Sequence, residues 1–110
     1  MAGKFELKKS SSNQFYFSLK AGNGEPILAS EMYQSKTGAE NGIQSVKTNA
    51  PFDSRYERKK AGDDQHFFVL KAANGEPIGR SETYSSTSAM ETGIASVKSN
   101  APGAAVEDLT

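Results

Sequence analysis

Cysteine is absent from the 110-residue chain, so neither a disulfide framework nor a thiolate metal site can be built. There is one histidine, His66, and hence no second imidazole to share a metal with it. Thirteen basic and thirteen acidic side chains cancel, which removes any global pull toward nucleic acid or an anionic membrane. No apolar run could span a bilayer, and the N-terminus, Met1-Ala2-Gly3-Lys4-Phe5-Glu6, lacks an apolar signal core. The expectation is a cytoplasmic chain of globular composition, one ordinary domain in length.

What the chain does have is a repeat. Displaced by about 51 residues, it matches itself without a gap. Phe5-Glu6-Leu7-Lys8-Lys9 falls on Tyr56-Glu57-Arg58-Lys59-Lys60, and Asn23-Gly24-Glu25-Pro26-Ile27 on Asn74-Gly75-Glu76-Pro77-Ile78. Ser30-Glu31-Met32-Tyr33 falls on Ser81-Glu82-Thr83-Tyr84, and Gly42-Ile43-Gln44-Ser45-Val46-Lys47 on Gly93-Ile94-Ala95-Ser96-Val97-Lys98. Repeat one covers 4–51 and repeat two 56–102. Only Phe52-Asp53-Ser54-Arg55 joins them, too short a connection for independent domains. Half of such a chain buries too little surface to be stable alone, so 1–110 reads as a single domain with one shared core.

Each copy reads as three strands and a helix. Phe5 and Leu7 alternate with Glu6 and Lys8, and Phe15, Phe17 and Leu19 with Tyr16, Ser18 and Lys20, the period of half-buried strands. Asn23-Gly24 and Asn74-Gly75 predict type I′ hairpin turns into third strands at 27–32 and 78–83. Thr37 with Glu40, and Ser88 with Glu91, match capping boxes that open the helices. Ala39, Ile43, Val46 and Ala50 then form a helical stripe, repeated by Met90, Ile94, Val97 and Ala101. Gly42 and Gly93 beside the stripe permit close approach of helix and sheet, and Pro51 and Pro102 end the helices. Residues 103–110 show no periodicity and predict a flexible tail. The expected fold is α+β: two tandem βββα repeats related by a pseudo-two-fold, with an antiparallel sheet packed against two helices.

The motifs Phe5-Glu6-Leu7, Phe17-x-Leu19-Lys20-Ala21-x-Asn23-Gly24-Glu25 and Gly42-Ile43-x-Ser45-Val46-Lys47-x-Asn49-Ala50-Pro51 resemble the YegP family of small bacterial proteins across nearly the whole chain. The resemblance implies a two-repeat fold of the βββα kind. It implies no activity, because that family is a domain of unknown function, and it supplies no catalytic or binding residues. Repeat two departs from the apolar pattern at Arg58 and His66, where repeat one has Leu7 and Phe15.

The residues themselves argue against catalysis. His66 beside Asp63 and Asp64 could serve as a general base, but as the counterpart of Phe15 it reads as a strand residue, and repeat one has no histidine. Glu40 and Glu91 are accounted for by capping, and the Asn-Gly pairs by turns rather than phosphate loops. No serine sits in a nucleophile elbow and no carboxylate pair has a catalytic spacing. No catalytic, cofactor-binding or metal residues are therefore assigned, and no enzyme is expected.

Two sets of residues invite a binding role. Ser30, Glu31, Tyr33 and Ser35 recur as Ser81, Glu82, Tyr84 and Ser86 at the strand–helix junction, where the plainer account is turn chemistry with a packed tyrosine. Lys8, Lys9 and Lys20 recur as Lys59, Lys60 and Lys71, with Tyr16 or Phe67 on the same outward phase. Lysines interleaved with aromatics read single strands in several sheet proteins, whereas Glu6 and Glu57 could simply neutralise them as a solvated face. The leading expectation is a small non-catalytic protein-interaction module centred on Glu31, Tyr33, Glu82 and Tyr84, with Tyr33 and Tyr84 joining Phe67 in an exposed apolar patch. The alternatives are a nucleic-acid-binding module using Lys8, Lys20, Lys59 and Lys71, or a dimerisation domain. No cofactor and no membrane are expected as partners, and the chain is expected to be a monomer or weak homodimer.

Overall fold

The computed structural model describes residues 3–110. Repeat one contains β1 (Lys4–Lys9), β2 (Phe15–Lys20), β3 (Pro26–Ser30) and α1 (Lys36–Asn49); repeat two contains β4 (Tyr56–Lys60), β5 (His66–Lys71), β6 (Pro77–Arg80) and α2 (Thr87–Asn100). A short strand, β7 (Ala105–Asp108), follows. All seven strands form one sheet in the order β4-β5-β6-β3-β2-β1-β7. The α+β class and the βββα order of both repeats are as the sequence predicts.

The halves join through β3 and β6, which pair antiparallel with Ala29 opposite Arg80 and Ser30 opposite Gly79. Ala29 and Arg80 are repeat equivalents, whereas Ser30 and Gly79 correspond to Ser81 and Leu28. Space there is not shared equally. A Cβ on Gly79 would lie 2.7 Å from the Ala29 carbonyl oxygen and 3.2 Å from Leu28 Cγ, and Leu28 is its repeat equivalent. One leucine fills a position where two would collide. Both helices reach across this seam, with α2 against β3 and α1 against β5 and β6. The core is accordingly continuous: Phe5, Leu7, Phe17, Leu19 and Ile43 belong to one buried cluster with Phe68, Leu70, Met90, Ile94 and Val97.

Four local expectations need correction. The sheet is mixed rather than antiparallel throughout, because β7 runs parallel to β1, with Phe5 opposite Val106 and Glu6 opposite Glu107. The segment expected as a flexible tail thus supplies an edge strand, held by Lys4 Nζ to Glu107 Oε1 at 3.1 Å and by an ion pair between Lys36 and Asp108. Pairing with β1 creates that strand, which is too short to show a period of its own. The N-caps are Ser35 and Ser86, whose hydroxyls accept from Gly38 N at 3.0 Å and Ala89 N at 3.1 Å, not Thr37 and Ser88. Antiparallel bridges pin Tyr33 to Phe15 and Tyr84 to His66, and the chain turns into helix two residues later, so the nearer serine becomes the cap. Glu40 and Glu91 are thereby freed from capping, and Glu91 receives Arg58.

The third correction concerns the Asn-Gly turns. Only the glycines have positive φ, at 87° for Gly24 and 86° for Gly75, and each follows a turn closed by Gly24 N to Ala21 O or Gly75 N to Ala72 O. This is the three-residue loop in which a glycine bulge follows a type I turn. The asparagine side chains accept from Glu25 N and Glu76 N, which fixes the exit direction. Two adjacent residues with positive φ occur instead at Asp63 and Asp64, between β4 and β5. Last, β3 and β6 end at Ser30 and Arg80, earlier than expected. Ser30 Oγ accepts from Phe17 N at 2.8 Å and Ser81 Oγ from Phe68 N at 3.0 Å, so a side chain replaces the ladder where the third strand turns away.

Candidate binding face of the sheet

The helices cover one face of the sheet, and strand registers assign the other. Glu107, Glu6, Ser18, Ala29, Arg80, Val69 and Glu57 lie opposite one another in succession, one row from edge to edge. Because side chains alternate, residues two positions away share that face. The helix-free face therefore also carries Lys4, Lys8, Tyr16 and Lys20 from repeat one and Lys59, Phe67 and Lys71 from repeat two. The four predicted lysines, Lys8, Lys20, Lys59 and Lys71, are brought onto a single surface.

Two carboxylates organise those lysines. Glu6, only 6 % exposed despite its outward phase, has Lys20 Nζ at 3.0 Å, Lys4 at 3.6 Å and Lys8 at 3.7 Å from its oxygens. The Lys20 contact leads in holding its carboxyl below the ordinary range, against the opposing effect of desolvation. Glu57 is more open, with Lys71 at 2.7 Å and Lys59 at 3.7 Å, and its carboxyl is lowered chiefly by Lys71. Glu107 pairs with Lys4. The strands thus present six cations on this face, Lys4, Lys8, Lys20, Lys59, Lys71 and Arg80, alongside the carboxylates Glu6, Glu57 and Glu107, with Glu31 and Glu82 bordering it just beyond β3 and β6.

Arg80 is the residue the sequence pattern did not single out. It occupies the centre of the row, opposite Ala29, and among the described residues no ion pair engages it. A recess of about 320 Å³ beside it is floored by Phe67 and Val69 and rimmed by Lys59, Lys71, Glu57 and Glu31. Glu82 borders a neighbouring recess with Arg80 and Ala29. The signal for Arg80 was available: it holds the outward phase of β6, where repeat one has only alanine.

The two predicted tyrosines lie elsewhere. Tyr33 stacks on Phe17 with ring centroids 6.2 Å apart and 14° between planes, and Tyr84 stacks on Phe68 at 6.4 Å and 10°. Both rings are half-buried on the helix side, with their hydroxyls over Gly42 and Gly93, where a Cβ would come within 2.4 Å of the phenol oxygen. Burial raises both phenols above their ordinary range, and the nearby Glu31 or Glu82 adds to the rise. The helix glycines shared by both repeats are therefore seats for tyrosine rings. No patch joins Tyr33 and Tyr84 to Phe67, which faces the opposite side. His66, bridged to Tyr84 through both backbone groups, fills a strand position as its alignment with Phe15 suggests.

Repeat two has one further ionic cluster, on the helix side. Arg58, in place of Leu7, gives Nη2 to Asp53 Oδ1 at 2.9 Å and to Glu91 Oε1 at 3.0 Å, and Nε also to Glu91. Lys98 Nζ reaches Asp53 Oδ1 at 2.9 Å. Hydrogen bonds from Arg58 and then Lys98 hold the Asp53 carboxyl down at about 2. Among the described residues no group of three or more His, Cys, Asp or Glu is placed to hold a metal ion, and no helix is long and apolar enough to cross a membrane.

The sequence pattern described as "Domain of unknown function (DUF1508)" matches twice, at residues 10–57 and 61–108. The chain belongs to this family. The DUF1508 spans begin 51 residues apart, the period seen in the sequence itself. Among curated relatives, the UPF0339 protein YegP of Escherichia coli strain K12 is 57 % identical over 110 residues, covering all of both chains. A UPF0339 protein of Shewanella oneidensis is 54 % identical over the same length, again with complete coverage of both. Solution NMR structures of proteins from these two species superpose with TM-scores of 0.94 each; all of this chain is covered, with 95 % of the E. coli chain and 93 % of the Shewanella chain. The E. coli structure is described as a protein of unknown function. DUF1508 relatives thus fix the fold and assign no activity.

Proposed function

We propose that this protein is a non-catalytic, cytoplasmic binding module whose helix-free sheet face takes single-stranded nucleic acid. One observation carries the reading: Lys8, Lys20, Lys59 and Lys71 share that face with Arg80, which no ion pair engages among the described residues, and Tyr16, Phe67 and Val69 lie among them. Lysines over an aromatic-bearing sheet supply what a single strand needs, cations along the phosphates and rings for the bases. The protein-interaction reading loses the patch on which it depended, because Tyr33 and Tyr84 are committed to packing beneath the helices.

Strand spacing gives the site a size. Tyr16 and Phe67 sit on β2 and β5, three strand spacings apart and two residues to either side of the common row. Their separation is roughly 19 Å along a diagonal that passes Arg80. That span suits a short site of about four nucleotides, the lower end for sheet readers. Glu6 and Glu57 compete with phosphate for the same lysines, so binding should be modest and steeply dependent on salt. Fluorescence anisotropy with short single-stranded DNA and RNA over a salt series tests it. Micromolar binding, weakened about tenfold by Arg80→Ala and with a log–log salt slope near −3, is expected for roughly four phosphate contacts. Absence of binding at the lowest salt, or binding indifferent to Arg80→Ala and to Lys71→Glu, would overturn the proposal.

A further inference from the structure

The two edges of the sheet are unlike. The β1 edge is covered by β7, an acidic strand lying parallel to it, with Glu107 against Lys4 and Asp108 against Lys36. The opposite edge, β4, is the repeat equivalent of β1 and, among the described residues, ends the sheet with no strand outside it. The equivalence extends to backbone direction. Leu7 pairs with Phe17 as Arg58 pairs with Phe68, and Leu7 O accepts from Leu109 N at 2.8 Å. The carbonyl of Arg58 accordingly faces outward at an open edge.

Charge on that edge is selective. β4 reads Tyr56-Glu57-Arg58-Lys59-Lys60, and Arg58 and Lys60 share the helix-side phase. Glu91 and Asp53 fix the Arg58 guanidinium through Nε and Nη2, and Lys60 pairs at 3.4 Å with the exposed Asp64, so an added strand competes with these carboxylates for both cations. Lysines on an edge discourage pairing with a second such edge. The same charges favour an acidic strand, and β7 on β1 shows its parallel geometry within this chain, although Lys4 and Lys36, which hold β7, correspond to Arg55 and Thr87 in repeat two.

We infer that β4 is a docking edge for an extended acidic peptide, added in parallel as an eighth strand. In the register that β7 keeps with β1, a peptide side chain opposite Arg58 corresponds to Asp108, and the one two residues on meets Lys60. Main-chain hydrogen bonds supply affinity, and Arg58 and Lys60 select carboxylates at alternate positions. This surface is the rim of the sheet rather than its face, and the inference does not depend on nucleic-acid binding.

The test is a titration of the isotope-labelled full chain with a blocked peptide, Ala-Val-Thr-Asp-Thr-Glu, followed by amide chemical shifts. The control peptide carries lysine at the two acidic positions. Shifts confined to β4 and neighbouring β5, with a submillimolar dissociation constant weakened about tenfold by Lys60→Glu and by the control peptide, are expected. Lys60 is an exposed edge residue outside the core, so loss of folding does not confuse the result. Three results would overturn the inference: no shifts at millimolar peptide, shifts centred on β1 and β7 through displacement of the chain's own strand, or β4 shifts produced by protein concentration alone. The last would identify a second copy as the occupant.

Discussion

Replacing Gly42 by alanine should destabilise this protein, although the same change in an exposed helix stabilises by about 1 kcal/mol. The new Cβ would lie 2.4 Å from Tyr33 Oη, 2.8 Å from Cζ and 3.0 Å from Phe17 Cε2. A phenol at the end of a free side chain would swing aside. Tyr33 has little such freedom, because its backbone exchanges hydrogen bonds with Phe15 at 2.7 and 2.8 Å and its ring rests on Phe17. Overpacking of this kind costs about 1–3 kcal/mol, and disturbing an aromatic pair adds about 0.5–1.5 kcal/mol. Set against the helix gain, a net loss of about 2 kcal/mol is expected. Urea melts should show it as a midpoint lowered by about 1 M at unchanged slope. Gly93→Ala repeats the test, with Tyr84 Oη again at 2.4 Å but Phe68 Cε2 at 3.3 Å, so its loss should be slightly smaller. In a Tyr33→Ala background the penalty should vanish and Gly42→Ala should become neutral or stabilising. If Gly42→Ala raises the midpoint of the parent protein, the tyrosine is not seated on the glycine and the argument fails.

Ile43→Ala and Ile94→Ala should each cost about 2–5 kcal/mol in the same melts, since both side chains are buried between helix and sheet; a neutral result would misplace the helix stripe. Ser81→Ala should cost about 1–3 kcal/mol by stranding the buried Phe68 N–H, and Ser30→Ala less, because Ser30 is more exposed; equal effects would show that the hydroxyls are not substituting for the ladder. Asp53 has a folded-state carboxyl at about 2 against an ordinary 3.8, so its contribution is complete above about pH 4 and is lost as pH falls through about 2. Asp53→Asn should therefore flatten the acid limb of stability between those values, and an unchanged limb in a series of melts would disprove the Arg58–Asp53–Lys98 linkage.

The parts of the fold set by periodicity were legible in the residues. Phe5 and Leu7, Phe17 and Leu19, and the stripe from Ala39 to Ala50 all face inward as their spacing demands, because burial on one face leaves few other patterns. What pairing or competition decides was not legible. Ala105–Asp108 becomes a strand only because the β1 edge is there to receive it. Ser35 outcompetes Thr37 for the helix cap because the Tyr33 bridge sets where the chain turns. For the binding face, the outward phase of each lysine could be read, but the β3–β6 register that places both sets on one surface could not. Tyr33 and Tyr84 recur for a reason found three-dimensionally, in glycines on a helix that leave room for their rings.

Ala29 faces Arg80, its own counterpart, and Leu28 overlies the space of its counterpart Gly79. Two identical chains meeting along such a seam would carry the same residue at both positions, whether two leucines in conflict or two glycines leaving a gap. Fusing the copies into one polypeptide lifts that restriction. Each side of the seam is then encoded separately, so a snug join and a single central arginine can arise together without a symmetry mate dictating either.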